Sequence, residues 1–289
     1  MISIFFCFLF SVAWGEDPNP LELSNYEKPI GSRYSLLPHR GTYVLPITYN
    51  FTPHNDIYQP VTASLPEASK EDYYQNEEVE FQISFLLPVR RDLFWDWDLI
   101  MGYTHHSWWQ LYNAAWSKPF RETIYQPEIF LRKLSTRKVG PFQLAGYDFS
   151  YVHESNGQIS ALSRSWDRLV GRVFFESGGT FLLLEGWVRI PDGKNDENPE
   201  ILRYKGIGRI EATQTLGKHS LKIRAPLGSS YYGVEAQYSF ATYGAYRVFV
   251  DWKSGYGYSL IEYDRSTQRI GVGLMLESFV DEESNPTKK

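Results

Sequence analysis

The chain has 289 residues, of which 43% are hydrophobic, 17% aromatic and 22% charged, and its formal net charge is −5. No run of about 20 apolar residues occurs, which excludes a bundle of membrane-spanning helices, and the apolar content excludes a disordered chain. The negative balance argues against nucleic acid as a partner, and the single cysteine, Cys7, excludes intrachain disulfides and cysteine-rich metal sites.

Ile2–Trp14 is a largely apolar stretch, too short to span a bilayer but suited to the core of a secretory signal. Ala13 and Gly15 place small residues where a signal peptidase needs them, so residues 1–15 are read as a signal peptide and export is expected. No Lys or Arg precedes the apolar run; a buried N-terminal strand is the alternative reading. Residues 16–40 are polar and Pro-containing and read as an N-terminal periplasmic arm, exposed or serving as a plug.

From residue 41 to 279 a two-residue period dominates. Val79, Phe81, Ile83 and Phe85 alternate with Glu78, Glu80, Gln82 and Ser84; Val234, Ala236, Tyr238 and Phe240 with Glu235, Gln237 and Ser239; Tyr246, Val248, Val250 and Trp252 with Arg247, Phe249, Asp251 and Lys253. This is the pattern of strands with one apolar and one polar face. Turn clusters punctuate it at Glu176–Gly179, Pro191–Pro199 and Thr215–Lys218. No helix and no internal repeat is evident.

A soluble sandwich and a membrane barrel both alternate, and three features favour the barrel. Export is the first. The second is aromatic enrichment near strand ends, at Trp95, Trp97, Trp108, Trp109, Tyr256 and Tyr258, as in interface girdles. The third is charge on the face opposite the apolar one: Arg164, Arg168 and Arg172 share a parity while Leu169, Val173 and Phe175 share the other. Such a row suits a polar lumen, with acidic partners such as Glu211 or Glu235. A spanning structure without helices must close, because an open edge leaves backbone groups unpaired in lipid. The expected fold is an all-β, antiparallel transmembrane barrel of about twelve strands.

The segment from Tyr147 to Arg172 carries the chemistry. His153 and Ser155 share a strand face with Tyr147, Phe149 and Tyr151. A hairpin symmetric about Ser160 would set His153 opposite Asp167 and Ser155 opposite Ser165, with opposed Cβ atoms about 4.5–5.5 Å apart. The three groups would then form a contiguous nucleophile, base and orienter on the outside of the barrel. Ser155 needs a base, His153 has the pKa range for it, and Asp167 would hold the imidazole tautomer. Backbone N–H groups around Ser155, Asn156 and Gly157 would serve as an oxyanion site, Gly157 permitting the necessary dihedrals. A polar set facing lipid is costly, which favours a functional reason for it.

The run His153-Glu154-Ser155-Asn156-Gly157, followed by Ser163-Arg164-Ser165-Trp166-Asp167-Arg168, resembles the active-site hairpin of bacterial outer-membrane phospholipase A. So do Tyr103-Thr104, Ser107–Leu111, Pro119–Thr123, Asn198-Pro199, Ser254–Gly257, Ser259–Ile261 and Gly271–Gly273. The resemblance implies a twelve-stranded barrel of the outer membrane that hydrolyses acyl esters of phospholipids and lysophospholipids, depends on Ca2+ and is activated as a homodimer. It assigns Ser155 as nucleophile and His153 as base. It also implies calcium held by the Ser117 carbonyl of one protomer with the Gln158 carbonyl and Ser163 hydroxyl of the other, Gln158 standing where the family has Arg. Glu197 matches an acidic position associated with a weaker calcium site; its other reading is a solvated loop carboxylate. Two departures stand out. The family's third triad member is Asn where this chain has Asp167, and a buried Gln of the family's dimer interface is replaced by His105, whose protonation would weaken pairing. Residues 280–289 extend past the aromatic at which such barrels commonly end. The competing readings are a non-enzymatic porin or surface barrel and, less favoured, a soluble secreted sandwich.

Overall fold

The computed structural model describes residues 36–63, 73–158, 160–193, 196–242 and 246–276. The expected signal peptide, most of the arm and the tail therefore lie outside the described residues. A two-residue strand, β1 (Leu37–Pro38), precedes β2 (Thr42–Asn50), β3 (Glu77–Phe94), β4 (Trp97–Trp109), β5 (Phe120–Val139), β6 (Phe142–Ser155), β7 (Ser165–Ser177), β8 (Thr180–Ile190), β9 (Gly208–Leu216), β10 (His219–Leu227), β11 (Gly233–Ala241), β12 (Tyr246–Gly255) and β13 (Thr267–Leu276). Each strand from β2 to β13 pairs antiparallel with its sequence neighbour, and β13 returns to β2 with Arg269 opposite Asn50 and Leu276 opposite Thr42. The twelve strands thus close on themselves, which removes every edge that lipid could not satisfy.

One end of the barrel has two-residue turns, such as Trp95–Asp96 between β3 and β4. There φ is 48° and 62°, both positive, as hairpins of this length demand. The other end carries long loops, which is the outward end in barrels of this kind. These loops hold short helical turns, including Ile201–Lys205, which the strand pattern did not reveal.

The alternation sorts side chains as the sequence pattern requires. Ile83, Met101, Phe149, Leu169, Val188, Leu221 and Val272 are exposed on the outer wall, where lipid rather than water meets them. Inside, charges are buried in pairs. Arg172 reaches Glu128 (2.7 Å) and Glu185 (3.0 Å), while Arg132 and Asp148 form two parallel bonds of 2.8 Å. The arginine row is corrected in two ways. Arg164 lies just before β7, in the β6–β7 loop, and Glu211 and Glu235 pair with Arg224 (2.6 and 2.8 Å) rather than with Arg168 or Arg172. Trp108 also differs from expectation. Adjacent residues of a strand face opposite ways, so Trp109 faces outward while Trp108, 1% exposed, packs inside with Ile124, Trp166, Ile201, Leu260 and Tyr263.

At the short-turn end, Leu37 opposes Leu86 and packs inside with Ile100 and Phe130. His39 Nε2 donates to the Glu128 carboxylate over 2.6 Å. Leu37 and His39, at the C-terminal end of the arm, therefore lie inside the barrel.

The outward loops also bury charge. Glu262, between β12 and β13, bonds Arg121 over 2.8 Å. Burial pushes its carboxyl up to about 7; Arg121 opposes the rise and Glu122 adds to it. A carboxyl raised in the folded state contributes stability below its ordinary value of 4.5 and loses it as pH rises through about 7. The melting midpoint of the parent should accordingly fall across that window, and Glu262→Gln should flatten the slope. Parallel profiles for the two proteins would argue against this assignment.

Candidate active site

β6 and β7 form the hairpin that carries the candidate triad. Register places His153 opposite Asp167 and Ser155 opposite Ser165, as symmetry about Ser160 requires. Phe149, Tyr151 and Leu169 on the same face are 63%, 42% and 56% exposed, so this is the outer, lipid-facing wall. Ser155 is the last residue of β6 and sits at the long-loop end.

His153 Nδ1 lies 2.9 Å from Asp167 Oδ1. Their side chains remain 38% and 26% exposed and so are reachable from outside the barrel. Ser155 is on the same face, but its hydroxyl makes no hydrogen bond to His153 or to any other described residue. The contiguous three-member chain expected from spacing is thus only two members long at rest. The reason is strand geometry: residues i and i+2 lie about 6.5 Å apart along the chain, so joining them requires both side chains to lean together. Nε2 of His153 is also without a described partner, and such nucleophile–base links commonly tighten only with substrate present.

The loop after Ser155 is stapled by Asn156. Its Nδ2 donates to the Leu162 carbonyl (2.8 Å), and its Oδ1 accepts from the backbone N–H of Gln158 (3.2 Å) and Arg164 (3.0 Å). Gly157 has φ of 60°, and a Cβ there would meet the Tyr125 ring at 3.0 Å, so glycine suits this turn on two counts. Its backbone N–H has no described partner. Behind the hairpin, Glu154 points inward and bonds Arg168 (2.7 Å), whose guanidinium lies 4.0 Å over the Trp166 ring. The outer triad face is thereby backed by a buried ion pair.

The residues that the resemblance assigns to calcium lie on two neighbouring loops. Leu162 of the β6–β7 loop and Trp116 of the β4–β5 loop belong to one apolar cluster. Ser117 holds a φ of 57°. Gln158 is exposed, and the Ser163 hydroxyl is free of described partners, while its carbonyl accepts from Arg164 over 2.6 Å. Glu197 is exposed and unpartnered on a different loop, where Arg189 bonds its neighbours Asp192 (3.2 Å) and Asp196 (2.5 Å). No group of three or more His, Cys, Asp or Glu suited to a metal occurs among the described residues. Any cation here would rest on carbonyl and hydroxyl oxygens, ligands that suit calcium.

His105 also faces outward. Its ring lies parallel to Phe81 at 5.9 Å, and its Nε2 is 2.9 Å from the Ser107 hydroxyl.

The Phospholipase A1 family profile matches residues 22–276. The chain belongs to the phospholipase A1 family. A phospholipase A1 of Klebsiella pneumoniae is 33% identical over 260 residues, covering 89% of this chain and 86% of the relative. The structure of outer membrane phospholipase A from Escherichia coli superposes with a TM-score of 0.80 at 31% identity, covering 88% of this chain and 96% of that one. A Salmonella typhi outer membrane phospholipase, described as a dimer with bound calcium, gives 0.79 at 30% identity and the same coverage. As a phospholipase A1 family member with this barrel, the chain is a phospholipase of the outer membrane. Within that family frame, the sequence named Asn156 and Glu154 but missed what their side chains do, stapling the loop and pairing with Arg168. Their signals were modest: an Asn after the serine, and an acidic residue of opposite parity between His153 and Ser155 facing the arginine row.

Proposed function

We propose that the chain is a calcium-dependent serine hydrolase cleaving acyl esters of phospholipids and lysophospholipids at both the sn-1 and sn-2 positions, activated by dimerisation. The observation that carries this reading is the 2.9 Å His153–Asp167 pair on the lipid-facing wall, beside a serine whose hydroxyl is unclaimed. Facing the membrane, the pair meets acyl esters where they are most concentrated.

In the proposed reaction, Ser155 Oγ attacks the ester carbonyl carbon while His153 Nε2 takes its proton. Asp167 accepts from Nδ1–H and stabilises the imidazolium. The Gly157 N–H is available to the oxyanion. His153 then returns the proton to the departing glyceryl oxygen, leaving the acyl group on Ser155. Water, deprotonated by the same imidazole, releases the fatty acid and restores the serine.

The calcium donors would be the Gln158 carbonyl and Ser163 hydroxyl with Ser117 of the partner subunit. The unclaimed Ser163 hydroxyl and the hard-oxygen donor set fit that ion. Bound there, calcium would supply positive charge to stabilise negative charge on the substrate. Glu197 would serve a separate, weaker site. With Ser117 taken from the partner subunit, as the resemblance implies, one chain would hold only part of the main donor set, so the reading includes dimerisation through the wall around His105. The dimeric, calcium-bound Salmonella relative supports the same reading. A passive pore is disfavoured because buried ion pairs such as Lys253–Glu80 (2.5 Å) and Arg172–Glu128 (2.7 Å) cross-link the lumen.

The test is fatty-acid release from phospholipid dispersed in detergent. Activity should fall at least tenfold with a chelator and return when calcium, but not magnesium, is restored. Mg2+ dehydrates reluctantly and needs a stricter geometry. Hydrolysis indifferent to chelation would remove calcium from the mechanism.

A further inference from the structure

The carboxylate of Asp167 has a second donor. Tyr151 sits two residues before His153 on the same face of β6, opposite Leu169, which makes it a diagonal neighbour of Asp167. Diagonal pairs on one sheet face are about 7–8 Å apart, within reach of an aromatic side chain. The Tyr151 hydroxyl donates to Asp167 Oδ1 over 2.6 Å, and the same oxygen meets His153 Nδ1 over 2.9 Å. These are the hydrogen bonds of the Asp167 side chain among the described residues. Arg168, next in sequence, has the opposite parity and is engaged by Glu154 at 2.7 Å inside the barrel. Across the other edge of β7, Asp167 faces Ile190, which offers no donor.

The setting makes this second donor consequential. A carboxylate on a lipid-facing wall has little water to solvate it, and a neutral imidazole supplies one N–H. We propose that Tyr151 is a positioning residue of the hydrolase site, its hydroxyl sharing the Asp167 oxygen with His153 and so holding the carboxylate ionised and aimed at the imidazole. This rests on the hydrolase reading above and adds a specific role to it. Tyr151 touches no reacting atom; it acts through Asp167. Its contribution should depend on charge. An amide at position 167 can still accept from His153, but carries no anion to be solvated.

The test is a double-mutant cycle with Tyr151→Phe and Asp167→Asn, read as kcat/KM for acyl release and as its pH profile. Tyr151 is 42% exposed and loses only an oxygen, so the barrel should fold, which heat-modifiable electrophoretic mobility verifies for each variant. Asp167→Asn alone should retain substantial activity. Tyr151→Phe should cost roughly tenfold with Asp167 present, the scale of a hydrogen bond to a charged group, and less than about twofold with Asn there. The pH profile supplies a readout that mere packing would not move. Without the hydroxyl, the acidic limb of the profile should be displaced in the Asp167 protein, and the same substitution should leave it where it is in the Asn variant. Equal losses in both backgrounds, or an unmoved limb, overturn the Tyr151 assignment while leaving the hydrolase reading standing. Full activity in a parallel Ser155→Ala protein would instead remove the hydrolase reading and the positioning role with it.

Discussion

Ser155→Ala should abolish acyl release, with kcat/KM falling on the order of 10⁴-fold or more, while the barrel folds and inserts normally. The magnitude follows from the chemistry: without the hydroxyl no covalent intermediate forms, and what survives comes from substrate binding and oxyanion stabilisation acting on water. The stability expectation follows from the environment. The Ser155 side chain makes no hydrogen bond to another described residue, and the strand end it occupies is held by its register with Ser165 and Tyr125. Removing one oxygen therefore leaves no orphaned partner, and the fold should change by no more than about 0.5 kcal/mol. Hydrolysis at parental rate in a correctly folded Ser155→Ala protein would take the nucleophile away from this position. A misfolded variant is distinguished by losing the compact mobility of the unboiled barrel; Ser155→Cys, which keeps a nucleophile in place, then repeats the test.

Much of this site was readable from residue parity because a strand has only two faces. Once Val79, Phe81, Ile83 and Phe85 alternate with Glu78, Glu80, Gln82 and Ser84, the outward side of β3 is settled by lipid. The same rule carried His153 and Asp167 to one face, and the short span between them kept the register unambiguous. What parity could not supply was rotamer and reach. Ser155 and His153 share a face, yet their side chains do not meet at rest. Nor could parity choose among distant partners in the lumen. Arg172 meets Glu128, 44 residues away, and Lys253 meets Glu80, 173 away, contacts set by closure of the barrel rather than by local pattern. Trp108 was legible but misjudged with its neighbour: two consecutive tryptophans look like one interface belt, whereas the pleat sends Trp108 into the core cluster and leaves Trp109 stacked on Phe120 at 5.2 Å. The outward loops were hardest. Asn156 staples its loop through contacts with backbone atoms, which leave no periodic trace in the sequence.

Arg172→Ala should destabilise the barrel by about 3–5 kcal/mol, the cost of stripping one partner from a buried ion cluster. Arg172 is 3% exposed and donates to Glu128 (2.7 Å), Glu185 (3.0 Å) and the Ser150 hydroxyl (2.8 Å), with Asp148 at 3.7 Å. Its removal leaves the carboxylates short of one positive charge where water is largely excluded. Arg40 reaches Glu128 at 3.3 Å and Glu185 at 3.8 Å, and His39 meets Glu128 at 2.6 Å, so part of the deficit is absorbed. The denaturant midpoint of the refolded barrel is the measurement. If charge imbalance is the cause, Glu128→Gln in the Arg172→Ala background should recover part of the loss, because the excess anion disappears with its partner. If the lost volume is the cause, the second substitution recovers nothing. A midpoint within error of the parent for Arg172→Ala alone would mean that water enters the lumen and solvates the carboxylates as well as arginine did. The consequence reaches the site, because β7 carries Arg172 on its inner face and Asp167 on its outer one. Loosening the inner lattice should broaden the register that holds Asp167 against His153, so activity should decline before the barrel itself unfolds.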